Sequence, residues 1–204
     1  MKIDPQTLSN RNAHHLFAGA IVPRPIAWVS TVDKLGRNNL APFSTYTLMS
    51  SKPAVLGFGI GNTREGKKKD TLRNIEDTKE FAVSLVNEDL AEAMNLTSTD
   101  FPWGVSEFEK ANLRAEKADL VKALLVAESP VKMECRLLKL LKFGKLPDVR
   151  FFVVGEILCV HVRDDLYVDG MIDPYKLKAV GRLGGTDLYC RTRDIFELKR
   201  PDKV

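Results

Sequence analysis

The sequence predicts a mainly β chain with short helices, its strands closing or nearly closing a barrel. Three observations carry this. Runs of alternating or β-branched apolar residues recur along the chain, the clearest being VRFFVVGEILCVHV at 149–162. Turns rich in Gly, Pro, Asp and Asn separate these runs. Only a few stretches have helical periodicity, and each is short.

The elements follow in order. Residues 1–22 are a polar lead with a helix or turn around 12–17, where His14 and His15 would point about 100° apart in a helix and could not share one ligand. Val22-Pro23-Arg24-Pro25 enters extended, because each proline biases its predecessor away from helix. Ile26, Trp28, Val29 and Val32 form a strand, Asp33-Lys34-Leu35-Gly36 a turn, and Leu40 to Phe43 the return arm of a hairpin. Proline lacks an amide donor, so pairing is expected to break near Pro42 and free backbone groups for another partner; a solvated edge strand would look the same. The following hydroxyls, Ser44, Thr45, Thr47, Ser50 and Ser51, are unusually dense for a strand.

Residues 54–61 are a short strand with Gly57, Gly59 and Gly61 on one face. Tight sheet packing or barrel curvature explains them as well as close approach of a flat ligand or a partner strand. A helix is expected over 70–78, with Asp70 as N-cap and Leu72 and Ile75 buried. Residues 81–86 read as a strand, and 88–96 as a second helix with Leu90, Ala93 and Met94 on one face. The segment 97–110 is irregular yet holds Phe101, Trp103 and Phe108, as a lid or a subunit interface would. A helical pattern covers 117–126. The longest strands are 131–141 and 149–162, with Gly155 as a bulge or bend. No repeat, low-complexity tract or linker intervenes, so 1–204 is read as one domain.

Composition narrows the function. With 44% apolar and 28% charged residues and ten phenylalanines in 204 positions, the chain can bury a large core. A net charge of +4 suits an anionic small ligand without requiring nucleic acid, and the basic run at 67–69 lacks the interleaved aromatics of single-strand binders. No apolar run approaches the roughly 20 residues of a membrane helix. The start, MKIDPQTLSN, lacks the apolar stretch of a signal peptide, so a cytoplasmic location is expected. Cys135, Cys159 and Cys190 are scattered without a C-x-x-C pair, which argues against a disulfide framework and against zinc. Cys135 and Cys159 read as buried thiols, and Cys190, beside Tyr189 and Arg191, as the more reactive one. His161 between Val160 and Val162 reads as structural before it reads as an acid or base. No Ser-His-Asp set, acid pair or metal cluster is recognisable, and no catalytic residue or metal ligand is assigned. The G-x-G-x-x-G fingerprint is absent, so nicotinamide would be a passing substrate and not a cofactor in its own domain.

One basic segment stands out. Lys67-Lys68-Lys69 precedes a helix start, where free amides, the helix dipole and lysine charge together favour a phosphate. Thr71 adds a hydroxyl and Asn74 an amide one turn on. Taken alone, a lysine triplet is more often a solvated turn. Gly181-Arg182-Leu183-Gly184-Gly185 reads as a turn near the tail, and Trp28 as either a core residue or a cover for a flat ring.

The sequence resembles the flavin reductase-like, FMN-binding split β-barrel proteins. The resemblance lies in PRPIAWVST, then G-x-x-N-L-A-P-F-S, then KDTLRNI, ESPVKMEC and GRLGG, in order over nearly the whole chain. It implies a Greek-key-like split barrel and an FMN cofactor. It also implies flavin-lining roles, largely through backbone groups, for Asn39, Ala41, Pro42, Phe43, Ser44 and Ser50. Trp28 would cover the ring, and Lys67, Asp70, Thr71 and Asn74 would serve the phosphate, with Lys67 and Thr71 the leading ligands. Gly184 and Tyr189 would close over the flavin. The implied protein is a homodimer that takes electrons from NAD(P)H and passes them to free flavin, a small acceptor or a redox protein. An FMN-binding electron-transfer or storage protein without NAD(P)H activity is the alternative.

Overall fold

A computed structural model describes residues 1–63, 65–145 and 148–201. In chain order it contains α1 (Asn10–Ala20), β1 (Ala27–Val32), β2 (Asn38–Phe43), β3 (Tyr46–Ser51), β4 (Ala54–Ile60), α2 (Asp70–Thr78), β5 (Glu80–Ser84) and α3 (Ala91–Leu96). There follow α4 (Glu107–Lys110), β6 (Ala115–Glu116), β7 (Leu125–Val126), β8 (Val131–Phe143), β9 (Arg150–Val162), β10 (Tyr167–Val168), β11 (Met171–Ile172), α5 (Pro174–Leu177), β12 (Val180–Arg182) and β13 (Tyr189–Arg191). Seven strands form one sheet in the order β2-β1-β5-β8-β9-β4-β3. Every neighbouring pair is antiparallel. The jump from β4 to β5, past β9 and β8, is the Greek-key-like step. The sheet curls so that its two edges, β2 and β3, are consecutive in the chain. Gly59 N–H donates to Thr45 O at 2.7 Å, which extends the β3–β4 ladder one residue before Tyr46; β2 and β3 stand at opposite ends of the strand order, and there the barrel is split.

Alternation along the strands sorts side chains between two cores. Ala27 and Val29 of β1 join Phe43, Phe58, Leu72, Ile75 and Phe81 inside the barrel. Trp28 of β1 and Leu40 of β2 face the other way, against Met94, Phe108 and Val180. β1 is buried along its whole length, its polar side chains Ser30 and Thr31 included. The α2 helix seats Leu72 and Ile75, both fully buried, in the barrel mouth. Gly155 lets Phe81 into this core: a Cβ there would lie 2.4 Å from Phe81 Cζ.

Several expectations are corrected. Pairing runs through Pro42, which faces Trp28, to Phe43 opposite Ala27. Because β2 is an edge, the missing amide costs no ladder bond. The N-cap of α2 is Lys69, and Asp70 is the first helical residue. The helix over 88–96 starts as a 3₁₀ turn at Glu88–Leu90 before α3, and 97–110 contains the single turn of α4. The ladder shifts register at Glu134/Cys135 and at Leu137/Lys139; the second shift is directly opposite Gly155 and Val154, so the bulge lies on β8 beside Gly155, which pairs with Leu137 and Leu56. Residues 117–126 form no helix. They wrap around Glu134, a fully buried side chain on β8, whose carboxylate accepts the amides of Asp119 (3.0 Å), Leu120 (2.6 Å) and Val121 (3.1 Å). Burial would raise that carboxyl's pKa, but these amides and His161 outweigh it and hold it below the usual range. Helical periodicity lost to this three-amide anchor. The glycine face of β4 is covered by the chain's own Phe152, Met49, Thr45 and Arg150, which is the packing reading. Cys135 is buried, which pushes its thiol pKa up; Cys159 and Cys190 are half-buried.

Candidate functional site

A groove runs along the free edge of β2, bounded by the N-terminus of α2 and the segment that follows α3. Its middle is lined by Asn39, Ala41, Pro42, Lys69, Asp70 and Ser98, among others. On one side it continues, through shared walls at Thr63, Asp70, Asp100 and Phe101, into a cleft of about 620 Å³ beside Lys67, Lys68, Arg73 and Trp103. That size lies in the ordinary ligand-pocket range of about 300–1,000 Å³. On the other side Pro42 and Ser98 are shared with a hollow holding Ser44, Asn95, Arg182 and Tyr189.

Buried hydrogen bonds fix the groove's walls. Glu107 of α4, only 5% exposed, accepts Asn39 Nδ2–H at 2.8 Å and the Leu40 amide at 2.9 Å. Burial raises the Glu107 carboxyl pKa against the hydrogen bonds of Leu40 and Asn39. Asn39 Oδ1 accepts the hydroxyls of Thr71 (2.8 Å) and Thr31 (3.2 Å), and Asn74 Nδ2 donates to Thr31 (2.9 Å). Across the groove, Trp28 Nε1 donates to Thr97 Oγ1 at 2.8 Å, and Thr97 donates to Met94 O at 2.7 Å. Thus β2, α2, α4 and the segment after α3 are tied to one another beneath the groove floor.

Charge is distributed unevenly along it. The first amides of α2 lack intrahelical partners by position. Lys69 stands there, paired with Asp100 at 2.9 Å. Asp70 also lines the wall; burial raises its carboxyl pKa, while Arg73 and Lys69 act the other way. In the adjoining cleft Trp103 has the guanidiniums of Arg37 and Arg73 at 5.1 and 5.2 Å from its ring centre. At the opposite end Arg182 lies 4.4 Å over the Tyr189 ring, and Tyr189 OH donates to Asn95 at 3.3 Å.

The structure brings together Asn39, Ala41, Pro42, Ser44, Asp70, Thr71 and Tyr189 of the residues singled out in the sequence. Lys67 lies in the outer cleft, 70% exposed and paired with Glu65 at 2.7 Å, so Lys69 holds the inner position. The Thr71 hydroxyl is spent on Asn39. Asn74 sits beneath, its amide spent on Thr31 and its Oδ1 without a hydrogen-bond partner among the described residues. Trp28 is fully buried in the second core and covers nothing. The Phe43 ring packs on Phe58, with ring centres 5.4 Å apart, inside the barrel. Ser50 pairs with Val55 on β3 and lines none of these hollows. Gly184 is pressed on α1, where a Cβ would lie 2.6 Å from Gly19 Cα. Glu107, Thr97 and Ser98 were missed: each carries an ordinary surface residue type, with no spacing to mark it. Arg182 lies within the GRLGG stretch, of which only Gly184 was assigned to the site.

A family model described as "Flavin reductase like domain" matches residues 18–176. Nitrilotriacetate monooxygenase component B from Bacillus cereus superposes with a TM-score of 0.92 at 30% identity, covering 97% of this chain and 98% of that one. The 2-nitrobenzoate 2-nitroreductase of Pseudomonas fluorescens gives 0.83 at 32% identity, over 98% and 96%. A protein of Shewanella frigidimarina described as having a split barrel domain gives 0.84 at 25% identity, over 98% and 100%. Among the described residues, no helix is long and apolar enough to cross a membrane. The match spans most of the chain, and the seven-stranded split sheet is the architecture of these neighbours; the chain belongs to the flavin reductase like domain family.

Proposed function

We propose that the groove along β2 binds FMN and that the protein is an NAD(P)H-dependent flavin oxidoreductase working as a homodimer. The observation that carries this is the polarity of the groove. Lys69, the open amides at the start of α2 and Thr99 line its middle, a donor set that fits a phosphate, while the Ser98 hydroxyl there already donates to Asn95 O at 2.6 Å. The Pro42–Ser44 backbone edge and the Tyr189–Arg182 pair flank the other end, a setting for a flat polar ring. Asp70 and Asp100 are the misfits, and a phosphate would compete with Asp100 for Lys69.

In this reading Lys69 and the α2 amides bind the phosphate, and Thr71 acts through Asn39 by holding β2 in register. The β2 edge offers backbone groups to the ring, and Tyr189 with Arg182 excludes water from that end. FMN, when bound, supplies the two-electron redox chemistry. The absence of a Rossmann fingerprint makes NAD(P)H a transient visitor to the same groove. The structure neighbours named as a monooxygenase component and a nitroreductase support a small acceptor or a redox protein downstream. A second copy would cover apolar surface: α1 buries none of its residues, and Ile21, Leu48 and Phe196 are 66%, 63% and 81% exposed.

Lys69→Ala is expected to weaken FMN far more than riboflavin, which has no phosphate, while Lys67→Ala changes both little. Isothermal titration with the two flavins checks this. Equal loss for both in Lys69→Ala would remove Lys69 from the phosphate site.

A further inference from the structure

Away from the groove, four side chains of three chemical kinds converge on the β8–β9 ladder. Cys159 and His161, two apart on β9, lie on one face of the strand. Glu134 of β8 is the cross-strand partner of Cys159. Asp119 comes from the loop whose amides clasp Glu134. One donor atom from each lies within 4.8 Å of the others. His161 Nε2 is 2.6 Å from Glu134 Oε1 and 4.0 Å from Asp119 Oδ2. None of the four lines the groove.

We propose that Cys159, His161, Glu134 and Asp119 form a binding site for a borderline divalent transition-metal cation, of which zinc is the natural occupant. A sulfur, an imidazole and two carboxylates select zinc or cobalt over magnesium or calcium, which prefer all-oxygen shells. A tetrahedral centre with bonds of about 2.0–2.3 Å sets its donors roughly 3.3–3.8 Å apart. Binding therefore opens the His161–Glu134 pair from 2.6 Å to that spacing, as the proton between them leaves, and draws in Asp119, whose side chain is 74% exposed and free to move. The remaining three donors sit on two paired strands. The outer shell is also present: three backbone amides orient Glu134. Lys132, opposite His161 in the ladder, has its charge met by Glu116 at 2.6 Å, which limits its repulsion of a cation. On binding, the cation replaces the proton shared between His161 and Glu134 and the thiol proton of Cys159. It would clamp the 117–122 loop to the sheet. The scattered cysteines had argued against zinc. The fold supplies instead one cysteine with one imidazole and two carboxylates.

The test uses the full-length, tag-free protein, stripped by chelator and titrated with cobalt(II), read as difference spectra so that any flavin cancels. One saturating cobalt per chain with a thiolate-to-cobalt band in the near ultraviolet is expected. Cys159→Ser, nearly constant in volume, should abolish the band, and His161→Gln should weaken binding by more than the ~10-fold typical of losing an outer-shell partner. Zinc should raise the melting temperature of the parent protein and not of Cys159→Ser, with flavin affinity equal in both. If His161→Gln does not fold, the Cys159→Ser comparison decides alone. No saturable cobalt binding, a spectrum without the thiolate band, or a band that survives in Cys159→Ser would overturn the site.

Discussion

At the scale of single residues, Glu107 does the most to shape the groove. Its carboxylate takes the side chain of Asn39 and the amide of Leu40 from positions 68 and 67 residues earlier in the chain. Glu107→Ala would leave both donors buried and unpaired, at about 1–3 kcal/mol for each such group. Its urea midpoint should fall accordingly, and flavin affinity should fall with it, because Asn39 also holds Thr71. A variant with unchanged stability and unchanged affinity would show that β2 needs no such anchor. Nothing in the sequence marks Glu107, since an acid next to Phe108 in an irregular stretch looks like ordinary surface. Asn39, Ala41, Pro42 and Ser44 line the groove; the family motif G-x-x-N-L-A-P-F-S points to them, and strand period does not. Lys67 and Lys69 could not be told apart, because sequence position does not reveal that Glu65 pairs with the first and Asp100 places the second on the groove wall.

At the scale of elements, the long strands and α2 follow from period alone, and the strand limits sit close to the apolar runs. Two elements were misread for definite reasons. The 117–126 segment has helical spacing, but the buried carboxylate of Glu134 offers its amides a stronger arrangement. Pro42 was expected to break the ladder; it lies on the edge strand, where proline is tolerated. Gly155 has two reasons in the structure, the β8 bulge opposite it and the Phe81 ring against it. Gly155→Ala would drive a methyl group to within 2.4 Å of the Phe81 ring, in the middle of the barrel core. Overpacking of this kind costs about 1–3 kcal/mol, so the thermal midpoint should drop. Should Gly155→Ala melt with the parent protein, the Phe81 contact does not set the spacing of β5 and β9.

At the scale of the whole molecule, a seven-stranded sheet whose edges are consecutive strands leaves one side of the barrel open, and the groove lies along that opening. The family and the barrel class were legible because motifs along nearly the entire chain had to agree in order. The groove's far walls were not, because they come from α3, α4 and the β12–β13 hairpin, which touch β2 only after folding. The central claim is that this groove holds a flavin reduced by nicotinamide. A visible spectrum of the purified protein, followed by anaerobic addition of NADH and then NADPH, tests it most directly. The account predicts a flavin spectrum, as purified or on adding FMN, that bleaches with at least one of the two donors. A flavin spectrum that persists with both would contradict the proposed electron donor, and no flavin binding in excess FMN would contradict the claim at its root.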